Sequence, residues 1–221
     1  MIELIDFTLS GDGIGKGLKG LNLTLHVGDV YALDTDSSAD AVIFLKALAT
    51  LLYPVQGLYR FRGETLDFSD YRTLLPIKKK IGYIGSDAAM ISNMSIRENL
   101  LLMRYYKENL LQLTTDGIAE TLCVQFQLKE SLDMRPGALT PSTLRLAITA
   151  RELAKSPELL LLEYPENYIG QVHLDTLSDT LESMPLFQMI VVFISSDQHL
   201  MERFATKHIS IINGNLVMDI L

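Results

Sequence analysis

The sequence predicts an α/β domain with an attached helical subdomain, and three patterns indicate it. Residues 2–9 and 20–27 alternate between apolar and polar, which is typical of strands with one buried face. From about residue 94 to 155, apolar residues recur three and four positions apart, as they do on helices. The runs PELLLLEYP (157–165) and MIVVFISS (189–196) are almost continuously apolar and predict buried strands. Early strands, a helical insertion and later buried strands together favour an α/β sheet.

Composition limits the class of protein. With 221 residues, 48% of them apolar, the chain is long enough to bury a core, and disorder is not expected. The net charge of −8, without a dense basic stripe, argues against nucleic acid as a partner. A single cysteine, Cys123, excludes an internal disulfide and fits a reducing compartment. The four histidines lack metal-ligand spacing, so we expect no metal site.

The segments that could target a chain to a membrane look like ordinary strands. The start, MIELIDFTL, alternates as a strand and lacks the basic region of a signal peptide. The longest apolar run, LFQMIVVFI (186–194), is too short to span a bilayer. We therefore expect a cytoplasmic protein with no direct membrane insertion.

A glycine-rich stretch, GDGIGKG, separates the first two predicted strands. Gly15 and Lys16 superficially resemble the end of a phosphate-binding loop. However, Gly17 stands where Ser or Thr is needed, and a strand follows instead of a helix. The stretch therefore predicts a hairpin turn.

Residues 28–54 predict a strand at 30–33, a polar loop and a helix from about 41 to 52. A phosphate-binding loop in this place would read G-x-x-x-x-G-K-[ST], with glycines for close approach, a lysine for charge and a hydroxyl for magnesium. This loop has no glycine, Ala41 in the lysine position and Val42 in the hydroxyl position. The architecture is present and the phosphate chemistry is missing.

Three carboxylates, those of Asp34, Asp36 and Asp40, line the same loop and would repel a triphosphate. Ser37 and Asp40 also have the [ST]-x-x-[DE] spacing of a capping box, in which the two side chains satisfy backbone N–H groups at the helix start. We hypothesise that the carboxylate of Asp36 or Asp40 occupies the vacated phosphate position. Drift is the alternative, and it predicts no particular capping geometry.

The rest of the chain supplies shorter elements. GLYRFRGETL (57–66) predicts a strand, a turn and a strand, and IGYI (81–84) predicts a short strand. Thr140 followed by Pro141 predicts the start of a helix. The last residues predict a hairpin around Asn213 and Gly214.

Three segments carry a resemblance to a known family. IGYIGSDAAMISNMSIRENL resembles IGYVFQ-D-x-x-LF-x-x-x-TVRENL, and ARELAKSPELLLLEYP resembles ARAL-x-x-x-P-x-LLLLDEP. FISSDQHLMERFATKHISIINGNLV resembles VTHD-x-x-x-A-x-x-x-A-D followed by G-x-x-V. In this order, and with GDVYAL before them, they resemble the nucleotide-binding domain of ABC transporters over the whole chain.

The resemblance implies a P-loop NTPase-like ABC ATPase fold. Such a fold has an N-terminal antiparallel β subdomain, a mostly parallel core sheet and an inserted helical subdomain. Here it implies one domain over residues 1–221, with the helical subdomain at about 88–155.

The positions that react with ATP in the family all differ here. Ser86 replaces the Q-loop glutamine, and the signature LSGGQ becomes LTPST with Thr140 as its second residue. Glu163 replaces the aspartate that directs magnesium, and Tyr164 replaces the glutamate that orients water. Ser196 replaces the switch histidine. The vestigial pocket therefore comprises Asp36, Asp40, Ala41, Val42, Ser86, Thr140, Glu163, Tyr164 and Ser196.

These losses imply that no residue is catalytic and that no cofactor is expected, because phosphoryl transfer depends on positioning and charge neutralisation. Weak binding of ATP and magnesium stays open. Glu163 has two interpretations, a ligand for a magnesium-bound water or a strand-end carboxylate without a ligand.

The sequence therefore predicts a catalytically inactive ATP-binding-like subunit, a pseudo-ATPase. Its partners would be a permease-like membrane subunit, a homologous ATPase subunit, or a second copy in a homodimer, and it would lie at the inner (plasma) membrane through that partner. In the family the membrane subunit docks beside the Q-loop, where Met90, Ile91, Met94 and Met103 offer an adaptable surface. Two alternatives remain, a working ATPase with a weak or composite site and a freestanding regulatory or ligand-binding module.

Overall fold

The computed structural model describes residues 1–11, 13–108, 117–183 and 189–219, and the side chains of residues 103–108, 171–172 and 217–219 are outside this description. The strands are β1 (Ile2–Ser10), β2 (Gly17–Leu25), β3 (Val30–Thr35), β4 (Gln56–Phe61), β5 (Glu64–Thr65), β6 (Ile81–Ile84), β7 (Leu159–Glu163), β8 (Ile190–Ile194), β9 (Lys207–Ile212) and β10 (Asn215–Asp219). The helices are α1 (Ser38–Leu48), α2 (Tyr71–Lys78), α3 (Ile96–Glu108), α4 (Gly117–Gln125), α5 (Pro141–Ala154), α6 (Glu166–Ile169), α7 (Gln171–Ser183) and α8 (Gln198–Phe204).

The strands form two sheets. The smaller one is antiparallel, with the order β2-β1-β4-β5. The larger one has the order β10-β9-β3-β8-β7-β6 and is parallel except where β9 meets β10. An antiparallel N-terminal sheet beside a mostly parallel core sheet confirms the predicted fold class.

Strand β7 explains the four successive leucines within PELLLLEYP. Leu159 and Leu161 pack in the apolar core that contains α1 and the small sheet, whereas Leu160 and Leu162 pack in the core on the other face, which contains residues of α4 and α5. A parallel strand that is covered on both faces needs apolar residues at successive positions. All five residues of β7 are buried, including Glu163 at its end.

The predicted hairpins are confirmed, and both boundaries predicted for the helix at about 41–52 are wrong. Ser10 pairs with Gly17 across the first turn, and Asn215 pairs with Ile212 across the last. Helix α1 begins at Ser38 rather than near residue 41, because the Ser37 side chain caps it, and it ends at Leu48. Helix α2, which contains a proline at position 76, was not predicted from the sequence.

In the described part of the chain, no helix is both long enough and apolar enough to cross a bilayer.

Candidate functional site

The parallel sheet brings the separate predicted positions to one edge. Strands β3, β8 and β7 run parallel and adjacent, with β6 beside β7, so the residues that follow them leave the sheet on the same side. These residues include Asp36 after β3, Ser86 after β6, Tyr164 after β7 and Ser196 after β8. A doubly wound sheet holds its ligands at such an edge.

Of the two hydrogen bonds that the predicted capping box of α1 requires, one is present. The Ser37 hydroxyl accepts a hydrogen bond from the Asp40 N–H at 3.3 Å. The reciprocal half is wrong, because the Ser37 N–H donates to the Thr35 hydroxyl and the Asp40 carboxylate turns the other way. Asp40 is fully buried and its Oδ1 accepts the Gly17 N–H at 3.0 Å. The demand of a buried carboxylate for a donor outweighs the local capping pattern.

Asp36 is likewise directed to another loop. Its two carboxylate oxygens lie 3.3 and 3.2 Å from the Asn213 backbone nitrogen, and its Oδ2 lies 3.6 Å from Lys16 Nζ. The hypothesis that either carboxylate itself replaces a phosphate at the start of α1 is therefore wrong in its geometry. Both carboxylates bond to neighbouring loops instead of to the N–H groups of the first helical turn.

Ala41 and Val42, which were assigned from the sequence to the positions of a lysine and a hydroxyl, pack in the core. Ala41 is fully buried, and Val42 is half-buried against the apolar core beside α1. A residue that packs into the core presents no polar group to a ligand. These two positions therefore stabilise the fold.

Glu163 has protein partners at the end of β7. The carboxylate is only 5% exposed, and its Oε2 accepts from the Tyr83 hydroxyl at 2.9 Å and from the Ser86 N–H at 3.2 Å. Burial raises the pKa of Tyr83, and the negative charge of Glu163 raises it further, so the phenol keeps its proton and remains a donor. Ser86, which stands at the Q-loop position, contributes its backbone here.

Arg145 is a residue that the sequence analysis missed. From α5 its guanidinium donates to the carbonyl oxygens of Gly85, at 2.9 Å, and Ser86. It also stacks over the Tyr168 ring, 4.2 Å from the ring centroid. Gly85 lies 60 residues from Arg145 in sequence, so local spacing does not predict this contact. The only signal in the sequence was the position of Arg145 shortly after the start of α5.

Ser196, the residue in the switch position, is bonded to a second missed residue. Its N–H and its hydroxyl both donate to Glu166 Oε1, at 2.6 and 2.8 Å. Tyr164, which directly follows β7, has a φ of 44° and donates its N–H to the Ile194 carbonyl at 2.9 Å. Burial, followed by the charges of Glu163 and Glu166, raises the pKa of Tyr164. A half-buried phenol therefore stands at the position where the resemblance implies a carboxylate.

Thr140 caps α5, as predicted. Its hydroxyl accepts the Thr143 N–H at 3.2 Å, and Pro141 is the first residue of the helix. The hydroxyls of Ser142 and Thr143 lie 3.2 and 2.8 Å from that of Thr140. This helix start is satisfied by its own side chains.

Three of the predicted docking residues, Met90, Ile91 and Met94, lie on an irregular segment between β6 and α3, whereas Met103 lies within α3. Ile91 is 40% exposed, Met90 and Met94 are half-buried, and the Met103 side chain lies outside the described residues. The segment is held by Asn99, a fully buried residue that was not predicted. Asn99 accepts the Ile91 N–H at 2.8 Å and donates to the carbonyls of Ile91 and Ser95 at 3.1 and 2.9 Å.

Among the described residues, no group of three or more His, Cys, Asp or Glu side chains is arranged to hold a metal ion.

Sequence comparison places the chain near transporter subunits. No protein-family model matches it. It is 25% identical over 223 residues to the macrolide export ATP-binding/permease protein MacB of Hyphomonas neptunium, an alignment that covers 99% of the chain and 34% of that longer protein. It is also 25% identical over 224 residues to the lipoprotein-releasing system ATP-binding protein LolD of Geobacter metallireducens, covering 99% of both. The bacitracin transport ATP-binding protein BcrA of Bacillus licheniformis is 27% identical over 220 residues, covering 94% of the chain and 66% of that protein.

Structural comparison gives the same result for the fold. A dimeric bacterial ABC transporter cassette superposes with a TM-score of 0.79 at 22% identity, covering 100% of the chain and 99% of the cassette. Its post-hydrolysis form with ADP and phosphate bound gives a TM-score of 0.81 at 21% identity over the same shares. The chain therefore has the fold of ABC ATPase cassettes, and the sequence relatives support the ABC transporter ATP-binding family.

Replacing Tyr83 with Phe should destabilise the protein by about 1–3 kcal/mol, because a buried carboxylate loses a donor. Urea unfolding at neutral pH measures the change. Tyr71→Phe is the matched control, since Tyr71 is 58% exposed, and it should change the free energy of unfolding by less than about 0.5 kcal/mol. Equal effects of the two variants would contradict the role of the Tyr83–Glu163 bond.

The raised pKa of Tyr83 also predicts a pH dependence. The native state keeps the phenolic proton at a pH where the unfolded chain, with an ordinary pKa of about 10, releases it. The contribution of Tyr83 is therefore fully present below about pH 10 and is lost as the pH rises above it. The free energy of unfolding of Tyr83→Phe should fall less steeply above this pH than that of the wild type. Parallel curves would contradict this assignment.

Proposed function

We propose that this chain is an ABC-transporter ATP-binding-like subunit that does not hydrolyse ATP and acts as a structural or regulatory partner. The observation that carries the proposal is the internal bonding of Glu163 to Tyr83 and Ser86. Both hydrogen bonds end on Oε2 and fill its acceptor positions, so a magnesium-bound water would have to reach Oε1 of a carboxylate that is only 5% exposed.

The other groups at the reactive edge support the same conclusion. Phosphoryl transfer needs cations to neutralise the phosphates and a base to orient the nucleophile. Tyr164 is a neutral phenol, and Ser196 donates to Glu166. The residues at these positions do not fit Mg-ATP, so no step of hydrolysis can be assigned to them.

Electrostatics at the start of α1 also disfavours a triphosphate. Asp36 and Asp40 lie there, and Asp34 precedes them with an exposed side chain. Lys16 is the cation nearest to Asp36 among the described ion pairs, and that carboxylate engages it. A nucleotide would have to displace this pair and approach like charges.

A fold that is intact but does not hydrolyse ATP can still bind partner proteins. The segment from Gly85 to Ser95 has an irregular backbone, and three side chains hold it. Arg145 binds its start, Arg151 donates to the Ala89 carbonyl at 2.8 Å, and Asn99 binds its end. A segment that is fixed before binding loses less conformational entropy on binding.

The partner that fits is a permease-like membrane subunit, an active ATPase subunit, or a second copy of the chain. One relative is by name both an ATP-binding and a permease protein, and one structural relative is dimeric. Such a partner would hold the chain at the cytoplasmic face of the inner membrane. Residues 1–221 would form one domain, with the helical subdomain at about 88–155.

A working ATPase is the alternative that the relatives favour, since the names of the compared transporter proteins describe ATP binding. It would need a weak or composite site completed by a second subunit. Nucleotide binding and turnover distinguish it from the first proposal.

Calorimetry with Mg-ATP up to millimolar concentration should detect no saturable binding in the micromolar range, and a phosphate-release assay should detect no turnover. Ala41→Lys should not restore turnover, because Tyr164 and Ser196 still occupy the reactive positions. Circular dichroism controls for folding of this variant, since position 41 is buried. Micromolar binding by the wild type, or turnover by either protein, would overturn the proposal.

Docking predicts that Ile91→Asp reduces the fraction of the chain that co-sediments with membranes of its own host, because a charge interrupts an apolar contact. Val55→Asp is the matched control, since Val55 is 66% exposed and lies outside the 85–95 segment. The two variants should be equally stable, with only Ile91→Asp released. Equal release of both would contradict docking through this segment.

A further inference from the structure

The turn between β1 and β2 packs against the start of α1. Its GIGKG stretch, residues 13–17, is called here the 13–17 segment. A Cβ added to Gly15 would lie 2.6 Å from Asp40 Oδ1, 2.6 Å from Ile43 Cδ1 and 3.4 Å from Ala39 Cβ. Position 15 therefore favours glycine, because an added Cβ would displace the buried Asp40 carboxylate and the Ile43 side chain on the first turns of the helix.

Gly17 fixes the other end of the segment. Its N–H donates to the fully buried Oδ1 of Asp40, and its φ of 79° lies in the left-handed region. An added Cβ would lie 2.4 Å from the Leu9 carbonyl oxygen, so this position requires glycine. Asp40 and the segment therefore stabilise each other. The Gly17 N–H donates to the Asp40 carboxylate, and the same bond holds the segment against α1.

The last hairpin closes the arrangement from a third side. Lys16 Nζ lies 3.6 Å from Asp36 Oδ2 and donates to Asn213 Oδ1 at 3.2 Å. Asn213 donates its own N–H to Asp36. The Lys19 N–H donates to the Gly214 carbonyl at 3.0 Å. Three loops that are distant in sequence therefore meet over one helix end.

We propose that the 13–17 segment is an intramolecular occupant of the start of α1, held by Asp36 and Asp40, and that it keeps phosphate groups out of this position. The start of a helix attracts anions because its first N–H groups are free and its dipole is positive. Here Ser37 satisfies one of those N–H groups, and the segment packs on the side chains of Ala39, Asp40 and Ile43 beside them. Asp36 and Asp40 hold the 13–17 segment in place. The hypothesis from the sequence was different, because it placed one of these carboxylates in the phosphate position.

This inference rests on the proposed function, in which the chain does not hydrolyse ATP. It identifies the 13–17 segment as the part of the chain that keeps phosphate groups away from α1. It also assigns a role to the glycine-rich stretch that resembles a phosphate-binding loop in sequence. The lysine of that stretch pairs with Asp36, and its glycines permit the close approach to α1.

Amide hydrogen exchange of the full chain, read by NMR, tests the inference without nucleotide. Asp40→Ala should speed exchange of the Gly17 amide about ten-fold, since that amide loses its acceptor. Asp34→Ala is the matched control, because the Asp34 carboxylate accepts from the adjacent Thr35 N–H, and it should leave Gly17 unchanged. Unchanged exchange at Gly17 in Asp40→Ala would overturn the inference.

Two further variants keep the test decisive if Asp40→Ala fails to fold. Gly15→Ala should push the segment off α1 and speed exchange at Gly17, whereas Gly137→Ala, which meets nothing within 4 Å, should not. Asp36→Ala removes a partly exposed acceptor and should speed exchange of the Asn213 amide. Equal exchange in wild type, Gly15→Ala and Asp36→Ala would overturn the inference.

Inorganic phosphate and Mg-ATP, each at millimolar concentration, complete the experiment with the wild type. The amides of residues 14–17 and 38–41 should keep their exchange rates and chemical shifts. Shifts of the α1 amides with full protection at Gly17 would show that an anion and the segment coexist, which overturns the inference alone. ATP turnover would overturn the proposed function, so the two failures are distinguishable.

Discussion

Glu163 is a carboxylate at the end of a strand that apolar side chains cover on both faces, so it has to find its hydrogen-bond donors inside the protein. Tyr83 and the Ser86 N–H provide them. Ser86 is in turn held from its carbonyl side by Arg145 on α5. One buried charge therefore sets the path of the chain after β6 and connects the core sheet to the helical region.

The same constraint recurs at Asp40 and Glu166. Asp40 is bonded to the Gly17 N–H, and Glu166 is bonded to the N–H and hydroxyl of Ser196. In both side chains the second carboxylate oxygen is buried without a partner among the described residues, which costs stability. Each of the three carboxylates connects loops at or near the edge of the sheet where a ligand would bind. The acids of this chain thus act as anchors between loops.

Anchored loops have a functional consequence. The segment after β6 carries the exposed Ile91, and its carbonyls and amides are held by Arg145, Arg151 and Asn99. A partly apolar surface held in this way supports the proposed recognition of another protein, and the 13–17 segment packed on α1 supports the proposed exclusion of phosphate. The two proposals are therefore parts of a single physical account, in which internal hydrogen bonds replace those to a ligand.

The sequence by itself indicated most of the strands, the hydroxyl caps of Ser37 and Thr140, and the residue types at the motif positions. These features depend on apolar periodicity, on the near neighbours of Ser37 and Thr140, and on residue identity at motif positions. Only the tertiary structure decided that Asp40 turns to Gly17, 23 residues away, and that Glu166 binds Ser196, 30 residues away. The same holds for Arg145 and Gly85. A buried charge selects its donor from whatever the folded chain brings within about 3 Å, and the spacing of residues along the sequence does not contain that distance.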